Sequence, residues 1–229
     1  MFNLIKFEIL KRKNLFKTLG VIFLVLQLYT TYRFAVTGVA DPLALLFIFS
    51  SISYIVFIFS SISHFSKDIT STDRTMVFMV PKSGFEIVSS KFLATMILGI
   101  GLLGIISIVA YGNIYYIDHN AGINILNYFS QNLYLIPKFL ISMATLGSFF
   151  ALVFLSIIIT KTFLEKIKFR TLIIIVIMSI LSKIFNIIFW DNFDKITLSD
   201  GSLSFIGIVG VTTIMLWISG WLIDNKTDF

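Results

Sequence analysis

The chain has 229 residues, of which 57% are hydrophobic and 13% charged, and its formal net charge is +6. A mean hydropathy of +0.96 excludes a water-soluble domain of ordinary composition and indicates that lipid surrounds most of the chain. The absence of Cys excludes disulfides, thiolate metal sites and a cysteine nucleophile. Lys and Arg flank the apolar segments, so we expect membrane lipid, and not nucleic acid, as their partner.

The segment that precedes the first apolar run, residues 1–16, is predicted to form an interfacial helix. Apolar side chains recur there at helical spacing, namely Phe2, Ile5, Ile9 and Phe16. Basic side chains that can reach lipid phosphates accompany them, namely Lys6, Lys11, Arg12 and Lys13. Leu4 and Phe7 fall outside the apolar stripe, so a simple basic flank that sets orientation is the alternative.

Six apolar runs are long enough to cross a hydrocarbon core of ~30 Å as helices that rise ~1.5 Å per residue. They cover residues 18–39, 43–63, 92–117, 135–160, 171–190 and 203–223. Each is an unbroken apolar run and lacks the alternation of a membrane β-strand. The sequence therefore predicts an all-α membrane protein with six transmembrane helices in a single transmembrane domain, 1–229. Residues 118–131 are predicted to be a loop.

The distribution of positive charge predicts the orientation. Most Lys and Arg residues lie in the N-terminal segment, in the loop after the second span and in the loop after the fourth span. Loops rich in Lys and Arg stay in the cytoplasm. We therefore expect a multi-pass protein of the cell membrane with both termini cytoplasmic, which agrees with an even number of crossings.

The predicted cytoplasmic loop, residues 64–91, contains signals for two helical pieces. Asp68 or Ser71 can cap a short helix that Pro81 ends. Ser83 and Glu86 have the S-x-x-E spacing of a capping box, in which each side chain satisfies a backbone amide. This spacing predicts a second helix that begins at residue 84 and continues into the third span.

The short helix would carry apolar side chains into the cytoplasm, namely Met76, Val77, Phe78 and Met79. Exposed Met and Phe side chains favour a role in filling a groove on a partner protein. The alternative is that they fold back onto the bilayer.

From residue 68 to residue 91 the loop reads D-x-x-x-x-D-R-x-x-x-F-x-x-P-x-S-x-x-E-x-x-x-x-K. With its place after the second of six spans, this pattern resembles the ABC-2 type permease family, the membrane subunits of ATP-driven exporters. The matching residues are Asp68, Asp73, Arg74, Phe78, Pro81, Ser83, Glu86 and Lys91. The end of the sixth span is also similar to a closing pattern of these permeases, through Trp221, Leu222, Ile223, Asp224 and Lys226.

The resemblance implies a dimer of two permeases, identical or related, with an ABC ATPase subunit beneath each of them. The segment 73–80 would be the coupling helix that docks in a groove of the ATPase, and the N-terminal helix, residues 1–16, would be the elbow that leans on it. The residues implied in coupling are Asp68, Asp73, Arg74, Met76, Phe78, Met79, Pro81 and Glu86. ATP and Mg would be held by the partner ATPase and not by this chain.

The sequence contains no G-x-x-x-x-G-K-[ST], H-E-x-x-H or G-x-S-x-G motif. We therefore expect the chain not to be an enzyme by itself and to need a separate ATPase chain.

Lys183 and Asn186 are the candidate substrate-path residues of the fifth span. Lys183 falls just past the predicted midplane, where a charge needs a partner or water. It can contact an anionic substrate, or it can extend to the outer surface and pair with Asp191 or Asp194.

The favoured function is a permease subunit of an exporter for a hydrophobic or amphipathic substrate such as a peptide, a lipid or a drug. One alternative is a stand-alone immunity or accessory protein that acts by binding. Another is an ion-coupled secondary carrier, which is less favoured because no acidic or hydroxyl-lined stripe indicates an ion path.

Overall fold

The computed structural model describes residues 1–37, 42–70, 82–132, 135–163 and 198–226, together with positions 176, 179, 180 and 183. Every regular element in these ranges is an α-helix, which confirms the all-α part of the predicted fold class. The helices are α1 (Phe2–Lys11), α2 (Lys13–Thr37), α3 (Pro42–Thr70), α4 (Gly84–Ile117), α5 (His119–Gln131), α6 (Leu135–Phe163) and α7 (Leu198–Lys226).

Within the described residues, five helical stretches are long and apolar enough to cross a membrane. They are Lys13–Thr37, Leu46–Ile69, Gly84–Tyr116, Leu135–Thr162 and Phe205–Asn225. They correspond to the predicted spans one to four and six. The predicted fifth span, 171–190, lies outside the described residues except at four helical positions. A helix pairs every backbone amide internally, which is what a chain surrounded by hydrocarbon requires.

Helices α3 and α4 extend well beyond the predicted second and third spans. Helix α3 continues to Thr70, and α4 begins at Gly84 and runs for 34 residues. The two helices therefore occupy most of the predicted loop 64–91. The predicted coupling helix, residues 73–80, lies outside the described residues.

The predicted loop 118–131 is wrong, because residues His119–Gln131 form helix α5. Asparagines at positions 120, 124 and 127 share one face of this helix, whereas Ile125 and Phe129 lie one turn apart on the other. The Asn and Gly content suggested a loop and concealed this helical spacing. The Asp118 carbonyl accepts the Gly122 N–H at 3.0 Å, which starts the helix directly after α4.

The chain divides into two compact units. The first comprises Met1–Leu4, Ile62–Leu93 and Tyr134–Phe229. In it, α6 packs along α7, and Ile141 and Ile208 form a buried contact that Ala144, Phe205 and Val211 surround. Residues 150–158 of α6 are all buried. A helix that is apolar on every side is stable only when other protein or lipid covers it fully.

The second unit comprises Ile5–Ser61 and Ala94–Leu133. Aromatic side chains pack α2 against α3 in it: Phe23 meets Phe49 edge to face at 5.1 Å, and Phe16 meets Phe57 at 6.1 Å. A Cβ on Gly99 would lie 3.1 Å from the Phe57 ring. The absence of a side chain at Gly99 therefore allows this ring to pack closely against α4.

Candidate functional site

The ends of α3 and α4 that flank residues 71–81 are joined by a buried ion pair. Lys91 Nζ lies 2.5 Å from Asp68 Oδ2, and the two side chains are 5% and 10% exposed. Both residues belong to the permease-like pattern, in which they are the first and last positions. Because α3 runs to Thr70, Asp68 lies inside a helix, so the alternative in which it caps the short helix is wrong. Removing one member of such a pair would leave a buried charge.

The start of α4 is capped by two side chains from different parts of the chain. Ser83 Oγ accepts the Glu86 N–H at 3.3 Å, and Asp224 Oδ1 accepts the Gly84 N–H at 2.7 Å. The first N–H groups of a helix have no partner within it, and its N-terminus favours a negative charge. The predicted start at residue 84 is confirmed. The Glu86 carboxylate does not close the capping box and instead lies 3.3 Å from Lys82 Nζ.

Helix α7 crosses α4 at a pair of glycines. A Cβ on Gly84 would lie 2.6 Å from the Gly220 carbonyl oxygen, and a Cβ on Gly220 would lie 2.5 Å from Phe85 Cα. These distances are shorter than a carbon contact allows, so the two backbones touch directly. The closing segment of α7 thus contributes Gly220 for close approach and Asp224 as a cap.

We call this cluster of Asp68, Gly84, Lys91, Gly220 and Asp224 the loop base. All five residues belong to the first unit. The Phe65 ring stacks on Phe154 at 3.7 Å and so fixes the end of α3 on α6. Among the residues that the structure describes, no group of three His, Asp or Glu side chains could hold a metal ion. The loop base therefore joins the ends of α3, α4 and α7.

The structure places Arg12 differently from the prediction. A break in the helix at Arg12 separates α1 from α2, so the predicted elbow 1–16 ends early. The Arg12 side chain is 4% exposed and donates from Nη1 to Ser61 Oγ at 3.0 Å and to Thr95 Oγ1 at 3.2 Å. The expectation that it reaches lipid phosphates is wrong, because two hydroxyl acceptors compensate for its burial.

The other elbow residues are more accessible. The Phe2 side chain is 88% exposed, whereas Ile5, Ile9 and Phe16 are half-buried. Their placement at a membrane surface remains a prediction.

Several predicted site residues lie outside the described ranges, namely Asp73, Arg74, Met76, Phe78, Met79, Pro81 and Asn186. Lys183 is helical with an exposed side chain. Its proposed contact with substrate therefore stays a prediction.

A polar pair between α2 and α4 was not predicted from the sequence. Gln27 Nε2 donates to Asn113 Oδ1 at 3.1 Å, and Asn113 Nδ2 donates to Gln27 Oε1 at 2.5 Å. Thr30 Oγ1 adds a longer bond of 3.4 Å to Asn113 Oδ1. A Gln or Asn inside an apolar span needs a hydrogen-bond partner. The occurrence of one such residue in each of two spans could therefore have indicated the pair.

Among the described residues, the five helices that are long and apolar enough to cross a membrane indicate a multi-pass helical membrane protein. Comparisons of the chain with protein-family models, with curated proteins and with solved structures found no match. Its function must therefore be inferred from its own residues.

Proposed function

We propose that the chain is the permease subunit of an ABC exporter. In this proposal it pairs with a second permease subunit, and a separate ABC ATPase that binds ATP and Mg drives it. Both termini and residues 64–91 face the cytoplasm. The substrate is a hydrophobic or amphipathic peptide, lipid or drug. The observation that carries the proposal is the loop base, which supports both ends of the segment that resembles a coupling helix.

A coupling segment transmits motion efficiently only when its connections to the helix bundle are rigid. The Asp68–Lys91 pair ties the end of α3 to the start of α4, and Asp224 ties α4 to α7. A load on residues 71–81 would therefore reach α3, α4 and α7 together. At ~1.5 Å per residue, α3 and α4 are about 44 Å and about 51 Å long, so movement at the base would be carried across the bilayer.

The exposed faces of the spans favour an apolar substrate and a membrane partner. Leu24, Ile48 and Ile108 are among the apolar side chains with more than half of their surface exposed. Such faces suit lipid acyl chains or a second permease subunit. In the described spans, the side-chain amides of Gln27 and Asn113 are paired with each other, and hydroxyls such as those of Thr31 and Ser156 donate to carbonyls of their own helix.

Co-purification tests the proposal. The tagged chain, extracted from its native membrane in mild detergent, should bring down a soluble protein with a Walker motif, identified by mass spectrometry. The double substitution Phe78→Asp and Met79→Asp should abolish this association, because charged groups would not enter an apolar groove.

A matched control adds the same charges elsewhere. Tyr128 and Phe129 are 54% and 60% exposed on α5, which the proposed topology places on the outer side. Tyr128→Asp with Phe129→Asp should leave the ATPase bound. Wild-type chain that purifies without any ATPase would contradict the proposal and support a stand-alone binding protein. Transport that responds to an ion gradient and ignores ATP would support a secondary carrier.

A further inference from the structure

An open groove of about 420 Å³ lies in the second unit, beside the point where the N-terminal segment turns into the first span. Its lining residues are Ile9, Leu10, Lys13, Phe16, Lys17 and Leu98. Four are apolar and two are basic. Glu8, the acidic residue nearest in sequence, is buried and is not part of the lining.

The N-terminal wall of the groove is one continuous helical face. Its positions follow the spacing i, i+1, i+4, i+7 and i+8 from Ile9 to Lys17. The break at Arg12 preserves this register, because the Arg12 N–H still bonds to the Ile9 carbonyl at 3.2 Å and the Phe16 N–H to the Arg12 carbonyl at 3.3 Å.

Buried contacts hold the two walls together. Thr95, which accepts a hydrogen bond from Arg12, lies one turn before Leu98 on α4. The same guanidinium also bonds to Ser61 of α3. The buried Arg12 therefore sets the separation between the N-terminal wall and Leu98, so the groove is part of the fold.

The charges of the groove indicate the ligand. Lys13 and Lys17 are exposed and one turn apart on the same face. Neither forms an ion pair within the described part of the chain. Two adjacent ammonium groups favour a phosphate, whereas apolar walls favour hydrocarbon. A ligand that satisfies both is an amphipathic anion at headgroup depth, where α2 enters the bilayer.

We propose that this groove binds one anionic phospholipid, with the phosphate between Lys13 and Lys17 and an acyl chain along Phe16 and Leu98. The space continues toward the span: a Cβ on Gly20 or on Gly101, each about one turn further along its helix, would meet nothing within 4 Å. This inference goes beyond the proposed transport function and does not depend on it.

Native mass spectrometry of the full chain in detergent tests the proposal, with dioleoylphosphatidylglycerol as the probe and dioleoylphosphatidylcholine as the neutral comparison. The wild-type chain should retain one phosphatidylglycerol in preference to phosphatidylcholine. The double substitution Lys13→Gln and Lys17→Gln should reduce this retention by roughly 25-fold, because each lysine near an anionic lipid contributes a roughly fivefold gain in affinity. Lys13→Arg with Lys17→Arg should retain the lipid.

Two further variants distinguish lipid binding in the groove from general electrostatic attraction between lipid and basic side chains. Lys6→Gln with Lys67→Gln removes the same charge from exposed positions outside the groove and should leave retention unchanged. Leu98→Trp fills the groove while keeping both lysines and should lower retention. Thermal unfolding of each variant identifies any variant that fails to fold. If a variant fails to fold, the preference of the wild-type chain for phosphatidylglycerol over phosphatidylcholine tests the proposal.

Three results would overturn the proposal. The first is equal retention of the two lipids by the wild-type chain. The second is an equal loss in the Lys6 and Lys67 control. The third is displacement of phosphatidylglycerol by millimolar inorganic phosphate, which would show that the lysines bind a free anion and not a phospholipid.

Discussion

The substitution Gly220→Ala tests the direct contact between α4 and α7. The added methyl carbon would lie 2.5 Å from Phe85 Cα and 2.9 Å from Phe85 Cβ. The Phe85 N and Cα atoms that the methyl group would meet belong to the backbone, so a rotamer change cannot relieve the clash. Overpacking of this kind costs typically ~1–3 kcal/mol. At ~2–4 °C per kcal/mol for a chain of this size, the thermal midpoint should fall by about 2–12 °C.

Gly210 on the same helix provides the matched control. A Cβ there would meet nothing within 4 Å. Gly210→Ala removes the same backbone freedom without a clash, and Ala is favoured over Gly inside a helix by up to ~1 kcal/mol. The two substitutions should therefore shift stability in opposite directions.

Thermal unfolding in detergent, followed by tryptophan fluorescence, measures both variants. Two of the three tryptophans, Trp217 and Trp221, lie on α7, so a Trp190→Phe background makes the emission report on this helix. A Gly220→Ala variant as stable as Gly210→Ala would refute the reasoning, because it would mean that α4 and α7 do not touch at this point.

Two further predictions concern buried polar contacts, and the same thermal assay measures both. Asp68→Leu alone should lower stability by ~3–5 kcal/mol because it removes the carboxylate that pairs with the buried Lys91 charge, whereas adding Lys91→Leu should recover most of the loss. A double variant no better than the single one would contradict the ion pair. Gln27→Leu should cost ~0.6–2 kcal/mol by leaving Asn113 without its reciprocal bonds. Thr31→Val, which removes a bond within α2 only, should cost less, and equal losses would count against the amide pair.

Five of the six predicted spans could be recognised from sequence because lipid imposes a single rule on every apolar run. Length and hydropathy alone located the five helices of the described residues that are long and apolar enough to span a membrane. The start of α4 was also predictable, since the Ser83 cap is local in sequence. Helix α5 was missed because its spacing of Asn and apolar residues competes with a strong loop composition.

The long-range contacts of the loop base could not be predicted. Asp68 and Lys91 were identified as motif residues, but their pairing depends on how α3 and α4 approach each other. Asp224 caps a helix that begins 140 residues earlier, and no local pattern encodes that contact. The environment of Arg12 was predicted wrongly because a basic residue beside a span usually faces the headgroups. Its hydrogen-bond acceptors, Ser61 on α3 and Thr95 on α4, are distant in sequence and come close only in the folded chain.

Thiol labelling in intact cells tests the proposed topology most directly. The chain has no Cys, so single cysteines can be introduced into the otherwise unchanged sequence. A membrane-impermeant maleimide should label Tyr128→Cys from outside, and should label Asn3→Cys and Thr75→Cys only after the cells are opened. Labelling of Thr75→Cys in intact cells would contradict the claim that residues 71–81 face a cytoplasmic ATPase.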